Sequence, residues 1–173
     1  VSFSGKYFQV EELVALPRPV QKPGLPIMVA GAGPRLLSVA ARYADIINFA
    51  PRPPTTGRTA TGSIGFGLTV AGMLELVREA AGDRFDDLEL ATFSIRPVVT
   101  DATDLSDVMD AFAAEYNTSQ AVAATIPATL AGSVEALVER LQQQRDELGL
   151  SYRIIGGSGM EAFAPVVARL KGT

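Results

Sequence analysis

The chain has 173 residues, 47% of them hydrophobic and 20% charged, with a net charge of −4. It contains no His, Cys or Trp, which excludes disulfides, thiolate nucleophiles, His- or Cys-ligated metals and Ser-His-Asp catalysis. An acidic chain with no basic block is also poorly suited to nucleic acid, so any chemistry must come from carboxylates, hydroxyls, Arg, backbone amides or a bound cofactor. No apolar run reaches the ~18–20 residues that span a bilayer, and no signal segment opens the chain. The expectation is a cytoplasmic protein that acts on a small molecule, with no membrane or nucleic-acid partner and no metal.

Residues 1–26 predict an extended arm. Phe3, Tyr7, Phe8 and Val10 surround Ser4, Gly5 and Lys6 in a hairpin-like pattern, and Pro17, Pro19, Pro23 and Pro26 then forbid helix or central strand. The sequence starts at Val1, inside a strand-like pattern, which is what a fragment would show. Residues 27–30 form a short apolar run of the kind found in a strand buried on both faces. They meet Gly31, Ala32, Gly33 and Pro34, and Leu36, Leu37, Val39, Ala40 and Tyr43 follow with helical spacing. Residues 45–49 predict the second strand. Residues 51–67 are rich in Pro, Gly and Thr and predict a long loop.

Helical spacing returns at Val70, Leu74, Val77 and Ala81, stopped by Gly82. The third strand is expected near 90–96, followed by a helical region around Leu105, Val108, Met109 and Phe112. Ser133 caps a further helix with Val134, Leu137, Val138, Leu141 and Leu148 on one side. Its other side, with Glu139, Arg140, Gln142 to Gln144 and Asp146, predicts a solvated face. Gly149 ends that helix, residues 152–155 make the fourth strand, and Gly156 to Gly159 lead into a last helix with Met160, Phe163, Val167 and Leu170.

Strands alternating with helices predict an α/β fold with a parallel sheet and right-handed crossovers. Four such βα units make either a small open sheet or half of an eight-unit TIM-type barrel of ~250 residues. The irregular residues 1–26 fit the second option, as the connection arriving from a preceding half-barrel, with residues 27–173 as the C-terminal half.

Ala30, Gly31, Ala32, Gly33 and Pro34 stand between a strand and a helix. Glycine there lets a ligand approach the backbone, and the first N–H groups of a helix attract anions, so the turn suits a phosphate. A tight turn that needs glycine whatever it binds is an equal reading. The pattern is not a dinucleotide fingerprint, because Leu36 stands where the third glycine would fall. Gly156, Gly157 and Gly159 form a second glycine turn at the same sheet edge, read first as a strand-to-helix corner. Asn48 and Phe49 close the second strand beside the first turn. Arg35 reads as a surface residue or an anion partner, and Arg96 as a barrel-mouth residue or the partner of a nearby acid. The adjacent pairs Glu11–Glu12 and Asp86–Asp87 fall in polar turns and are poor acid–base candidates.

Residues 26–45, from Pro26 through Gly31, Gly33, Pro34 and Arg35 to Asp45, resemble the bacterial luciferase-like oxidoreductases, which include flavin-dependent monooxygenases and coenzyme F420-dependent enzymes. Phe3 to Phe8 with Leu16 to Gln21 resembles the family's segment before the fifth barrel strand. Residues 130–141 with 147–155 resemble its last long helix and strand. The resemblance implies the C-terminal half of a (β/α)8 barrel from an oxidoreductase that performs hydride transfer or monooxygenation on a small organic substrate. It implies coenzyme F420 as first choice of cofactor and FMN as second. By position, Ala30, Gly31, Ala32, Gly33 and Pro34 would meet the phosphate-bearing tail, with Asn48 and Phe49 also against the cofactor. The family's acid–base groups lie mostly in the first half of the barrel, so no catalytic residue is assigned to this chain. The alternative is a non-catalytic half-barrel that binds a phosphate-containing ligand. In both readings the open sheet edges favour a homodimer or edge-to-edge association.

Overall fold

The computed structural model describes residues 1–50 and 69–172; the loop expected at 51–67 lies outside the described residues. The arm begins as a small antiparallel hairpin, β1 (Phe3–Ser4) with β2 (Gln9–Val10). The Gly5 N–H donates to the Phe8 carbonyl at 2.9 Å and closes the turn. No helix or strand occurs between β2 and β3 (Met28–Gly31), as the prolines dictate. Then follow α1 (Pro34–Tyr43), β4 (Ile46–Phe49), α2 (Val70–Ala81), β5 (Glu89–Ser94), β6 (Val98–Val99), α3 (Ser106–Glu115) and α4 (Gln120–Thr125). The chain ends with β7 (Ala131–Gly132), α5 (Val134–Leu148), β8 (Leu150–Ile155) and α6 (Met160–Leu170).

Four strands form one parallel sheet in the order β3-β4-β5-β8. Successive residues of a strand point to opposite faces. On one face Val29, Ile47, Phe49, Leu90 and Leu150 pack with Leu37, Ala40, Met73 and Val77 from α1 and α2 in the main core. A second cluster joins Leu137 and Leu141 of α5 to Phe163 and Val166 of α6. Among the described residues, the opposite face of the sheet carries no helix. This is part of a (β/α)8 barrel: four consecutive βα units with their helices on the outside.

Helix ends follow their local chemistry. The Thr69, Ser119 and Ser133 hydroxyls accept from the N–H groups of Gly72, Val122 and Ala136 and so cap α2, α4 and α5. Gly149 ends α5 in the left-handed region at φ 69°.

Several expectations need correction. Residues 27–30 do not form a strand buried on both faces. β3 runs one residue later and is an edge strand, exposed or half-buried throughout. The third strand stops at Ser94, so Arg96 lies beyond it, where it pairs with Glu115 at 3.4 Å. Pro97, with no N–H to donate, prevents the ladder from continuing. Between β5 and α5 the chain adds a two-stranded parallel sheet, β6 with β7, which neither residue pattern announced. The predicted apolar side of α6 is also shifted: Phe163 and Val166 are buried, while Met160 and Val167 stay exposed.

The solvated face assigned to α5 is the largest correction. Gln144 is buried and accepts a hydrogen bond from Arg153 Nη2 of β8, at 2.5 Å. Arg140 donates to the Ala124 carbonyl at 2.8 Å. The segment 126–130 is buried, and its Ile126 and Pro127 carbonyls accept from Arg140 and Arg153. Burial lowers the pKa of Arg140, and burial together with the neighbouring Arg140 charge lowers that of Arg153 to about 10.

Candidate functional site

The β3–α1 turn stands at the carboxyl end of an edge strand, where barrel folds place their binding loops. Ala32 is buried in the main core and anchors the turn from behind. Gly33 is the N-cap of α1 and offers no side-chain cap, while Pro34 at the first helical position has no N–H. The first helical N–H donors are therefore those of Arg35 and Leu36, with no acidic residue in that turn to compete for them. The Arg35 side chain is exposed next to them. Gly33, Pro34, Arg35, Leu36 and Val39 line an open, largely apolar groove of about 430 Å³.

The two glycines of the turn have different reasons for being there. A Cβ on Gly31 would meet the tip of the exposed Leu36 side chain, a clash that Leu36 can relieve by turning aside. Gly33 has φ −78° and ψ 137°, an ordinary extended conformation open to any residue. Its lack of a side chain keeps the backbone bare at the helix start. At the second glycine turn, packing accounts for the sequence. A Cβ on Gly156 would overlap the Ile95 carbonyl oxygen, and one on Gly159 would lie 2.7 Å from Pro97.

Sheet register brings the strand-end residues to the turn. Ala30 pairs with Asn48 and Gly31 with Phe49, and the Ala50 N–H donates to the Gly31 carbonyl at 3.2 Å. Asn48 and Phe49 then diverge. Phe49 faces the helices, 1% exposed in the main core, and its carbonyl accepts from the Thr92 hydroxyl at 3.2 Å. Asn48 faces the helix-free side, is 6% exposed, and its Oδ1 has no hydrogen-bond partner among the described residues. A buried amide oxygen without a donor is uncommon.

The same register extends the level of Asn48 to Ala91 and Tyr152, two residues that the sequence pattern did not single out. The helix-free face therefore carries the row Ala30, Asn48, Ala91, Tyr152: two small residues, one polar group and one ring. Only pairing across non-consecutive segments assembles it. Alternation within 89–94 and 150–155 was the available signal, and an irregularity between Leu90 and Ala91 blurs it in the last strand. Among the described residues no group of His, Cys, Asp or Glu could hold a metal ion, and no helix is long and apolar enough to cross a membrane.

The family model for luciferase-like monooxygenases matches residues 1–153. The chain belongs to this family. No curated protein matches the sequence. Among solved structures, the luciferase-like chain is similar to an F420-dependent secondary alcohol dehydrogenase in complex with an F420–acetone adduct, at 18% identity and TM-score 0.60, over 99% of this chain and 56% of that one. It is similar to the coenzyme F420-dependent tetrahydromethanopterin reductase from Methanopyrus kandleri at 12% identity and TM-score 0.64, over 98% and 56% of the two chains. It also resembles EDTA monooxygenase from Chelativorans sp. BNC1, at 15% identity and TM-score 0.63, over 99% and 50%. These identities establish the shared fold. The chain spans about half the length of the structures it matches, and the four-strand sheet is the corresponding part of the luciferase-like barrel.

Proposed function

We propose that this chain is the cofactor-tail half of a luciferase-like oxidoreductase, holding the phosphate-bearing tail of coenzyme F420, or of FMN, at the β3–α1 turn. The observation that carries the reading is the bare, uncapped start of α1 at the carboxyl end of β3. The residues fit an anionic tail. Arg35 and Leu36 supply backbone donors, the Arg35 guanidinium adds positive charge, Gly33 leaves room for close approach, and the positive end of the helix dipole favours a phosphate. Asn48 Oδ1 would accept from a donor on the ligand. The cofactor supplies hydride transfer, or oxygen activation if it is a flavin. This chain's residues contribute binding and orientation.

F420 stands first because two of the solved structures similar to this chain are F420-dependent enzymes; FMN stands second. The substrate is a small organic molecule and the setting the cytoplasm. Fluorescence titration of the purified chain with F420 and FMN in parallel tests the site, and lack of binding by either well above micromolar concentration refutes it. Gly33→Val should weaken the binding by about tenfold, roughly 1.4 kcal/mol, by crowding the approach to the backbone. Unchanged affinity would make the turn purely structural.

A further inference from the structure

We propose that the pocket between the last turns of α5 and α6, over the amino end of β8, binds a small tetrahedral oxyanion of the size of inorganic phosphate. Gln142 and Arg145 of α5 and Ser151 and Arg153 of β8 line it, and three leucines complete the wall. The polar lining is therefore two guanidiniums, one hydroxyl and one amide, with no carboxylate. Its volume is about 140 Å³, the space of roughly four or five water molecules. That admits a phosphate and is too small for a whole flavin-type cofactor. The four strands of the sheet are parallel, so this pocket and the β3–α1 turn stand at opposite ends of it. The oxyanion site is thus independent of the function proposed above.

β8 breaks its own alternation to bring Arg153 to this place. Leu150 packs in the main core on the helix side, so regular pleating would send Arg153, three residues on, to the opposite face. Leu90 pairs with Leu150 but Ala91 pairs with Tyr152, so Ser151 is passed over in a β-bulge. The bulge resets the phase of the strand. Arg153 then falls on the helix side, in register with Thr92, and donates to the Gln144 side chain of α5 and to the Pro127 carbonyl.

The positive charge drawn in by the bulge has no acid to answer it. Arg140 stands close enough on α5 for its charge to lower the pKa of Arg153. Among the described residues neither guanidinium forms an ion pair, and the Nε of each is buried without a hydrogen-bond partner. Carbonyl oxygens satisfy Nη groups but leave the charges standing, whereas buried charges are ordinarily paired. Asp146 meets Arg145 at 3.5 Å, with both side chains largely exposed, and a pair of that kind contributes little. The carboxyl ends of α5 and α6 carry about half a unit of negative charge each, against the two full positive charges of the lining. An oxyanion balances the remainder and accepts from the donors that the lining supplies.

Thermal unfolding of the purified chain in phosphate, sulfate or chloride at equal ionic strength tests the site. The anions are used at low millimolar concentration, where general salt effects on apolar burial are small. Phosphate and sulfate should raise the midpoint by about 3 °C over chloride, by mass action on the folded state. Arg153→Gln should abolish the difference between the anions. That variant also removes two hydrogen bonds, so Ser151→Glu serves as a second one. Its carboxylate stands in for the bound anion, and it should raise the midpoint in chloride and remove the response to phosphate. Equal midpoints of the native chain in phosphate and chloride, or an undiminished response in Ser151→Glu, would overturn the proposal. Gly33→Val separates this pocket from the β3–α1 turn, and its phosphate response should equal that of the native chain. Loss of the response in Gly33→Val would overturn the oxyanion pocket alone, and failure of F420 and FMN to bind would overturn the proposed function alone.

Discussion

At the scale of single residues, glycines with the same local setting answer to different physics. A Cβ at Gly31 would meet the tip of Leu36, a flexible and 44% exposed side chain that can turn aside. Gly31→Ala is therefore expected to cost less than about 1 kcal/mol in urea denaturation. A Cβ at Gly156 would meet a backbone oxygen, that of Ile95, which cannot turn aside. Gly156→Ala is expected to cost about 3 kcal/mol, at the upper end of overpacking penalties; equal costs at the two positions would contradict this account. Arg153 presents a different balance. Burial, with Arg140 alongside, holds its pKa down at about 10, so its charge costs stability at all lower pH values. As pH rises from about 10 toward the ordinary Arg value, the folded chain releases a proton that the unfolded chain still holds, and the contribution of this group to stability increases. The stability of the native chain relative to Arg153→Gln should therefore increase across that window, as read from chemical denaturation at a series of alkaline pH values. A constant difference would show that the guanidinium is better solvated than its burial implies.

At the scale of elements, α5 has both ends defined by its own residues, Ser133 accepting from the Ala136 N–H at 3.2 Å and Gly149 in the left-handed region. Ser133→Ala should cost about 1 kcal/mol, measurable as a lower denaturation midpoint with an unchanged slope. These ends were legible in the sequence because capping acts over three or four residues. The faces of α5 were not equally legible. Gln144 and Arg140 look like solvent-facing residues on a helical projection, yet the carbonyls of Ala124 and Ile126, from a segment some fifteen residues earlier, draw Arg140 inward, and Arg153 of β8 draws in Gln144. The paired β6 and β7 are two residues each and join positions thirty-three residues apart, too short and too distant for any local pattern to report.

At the scale of the whole molecule, the governing fact is a sheet with helices on one face and two open edges. The same geometry explains why β3 is half exposed although its composition is apolar: its outer neighbour is not among the strands of this sheet.

The order of the four main-sheet strands and the helices between them, and the glycine turn at the start of α1, were legible in local sequence, since period, caps and prolines operate within one or two turns of chain. The lack of His and Cys likewise removed whole reaction classes, because a side chain that is absent cannot be supplied by folding. Tertiary structure alone decided that Asn48 and Phe49, adjacent in sequence, serve opposite faces, because the pleat sends neighbouring side chains apart and the helices cover only one side. It also decided that Asn48 shares a level with Ala30, Ala91 and Tyr152, since strand register is fixed by hydrogen bonds between segments up to about sixty residues distant. A candidate site built on a sheet is a property of that register, and register is written in no single stretch of the chain.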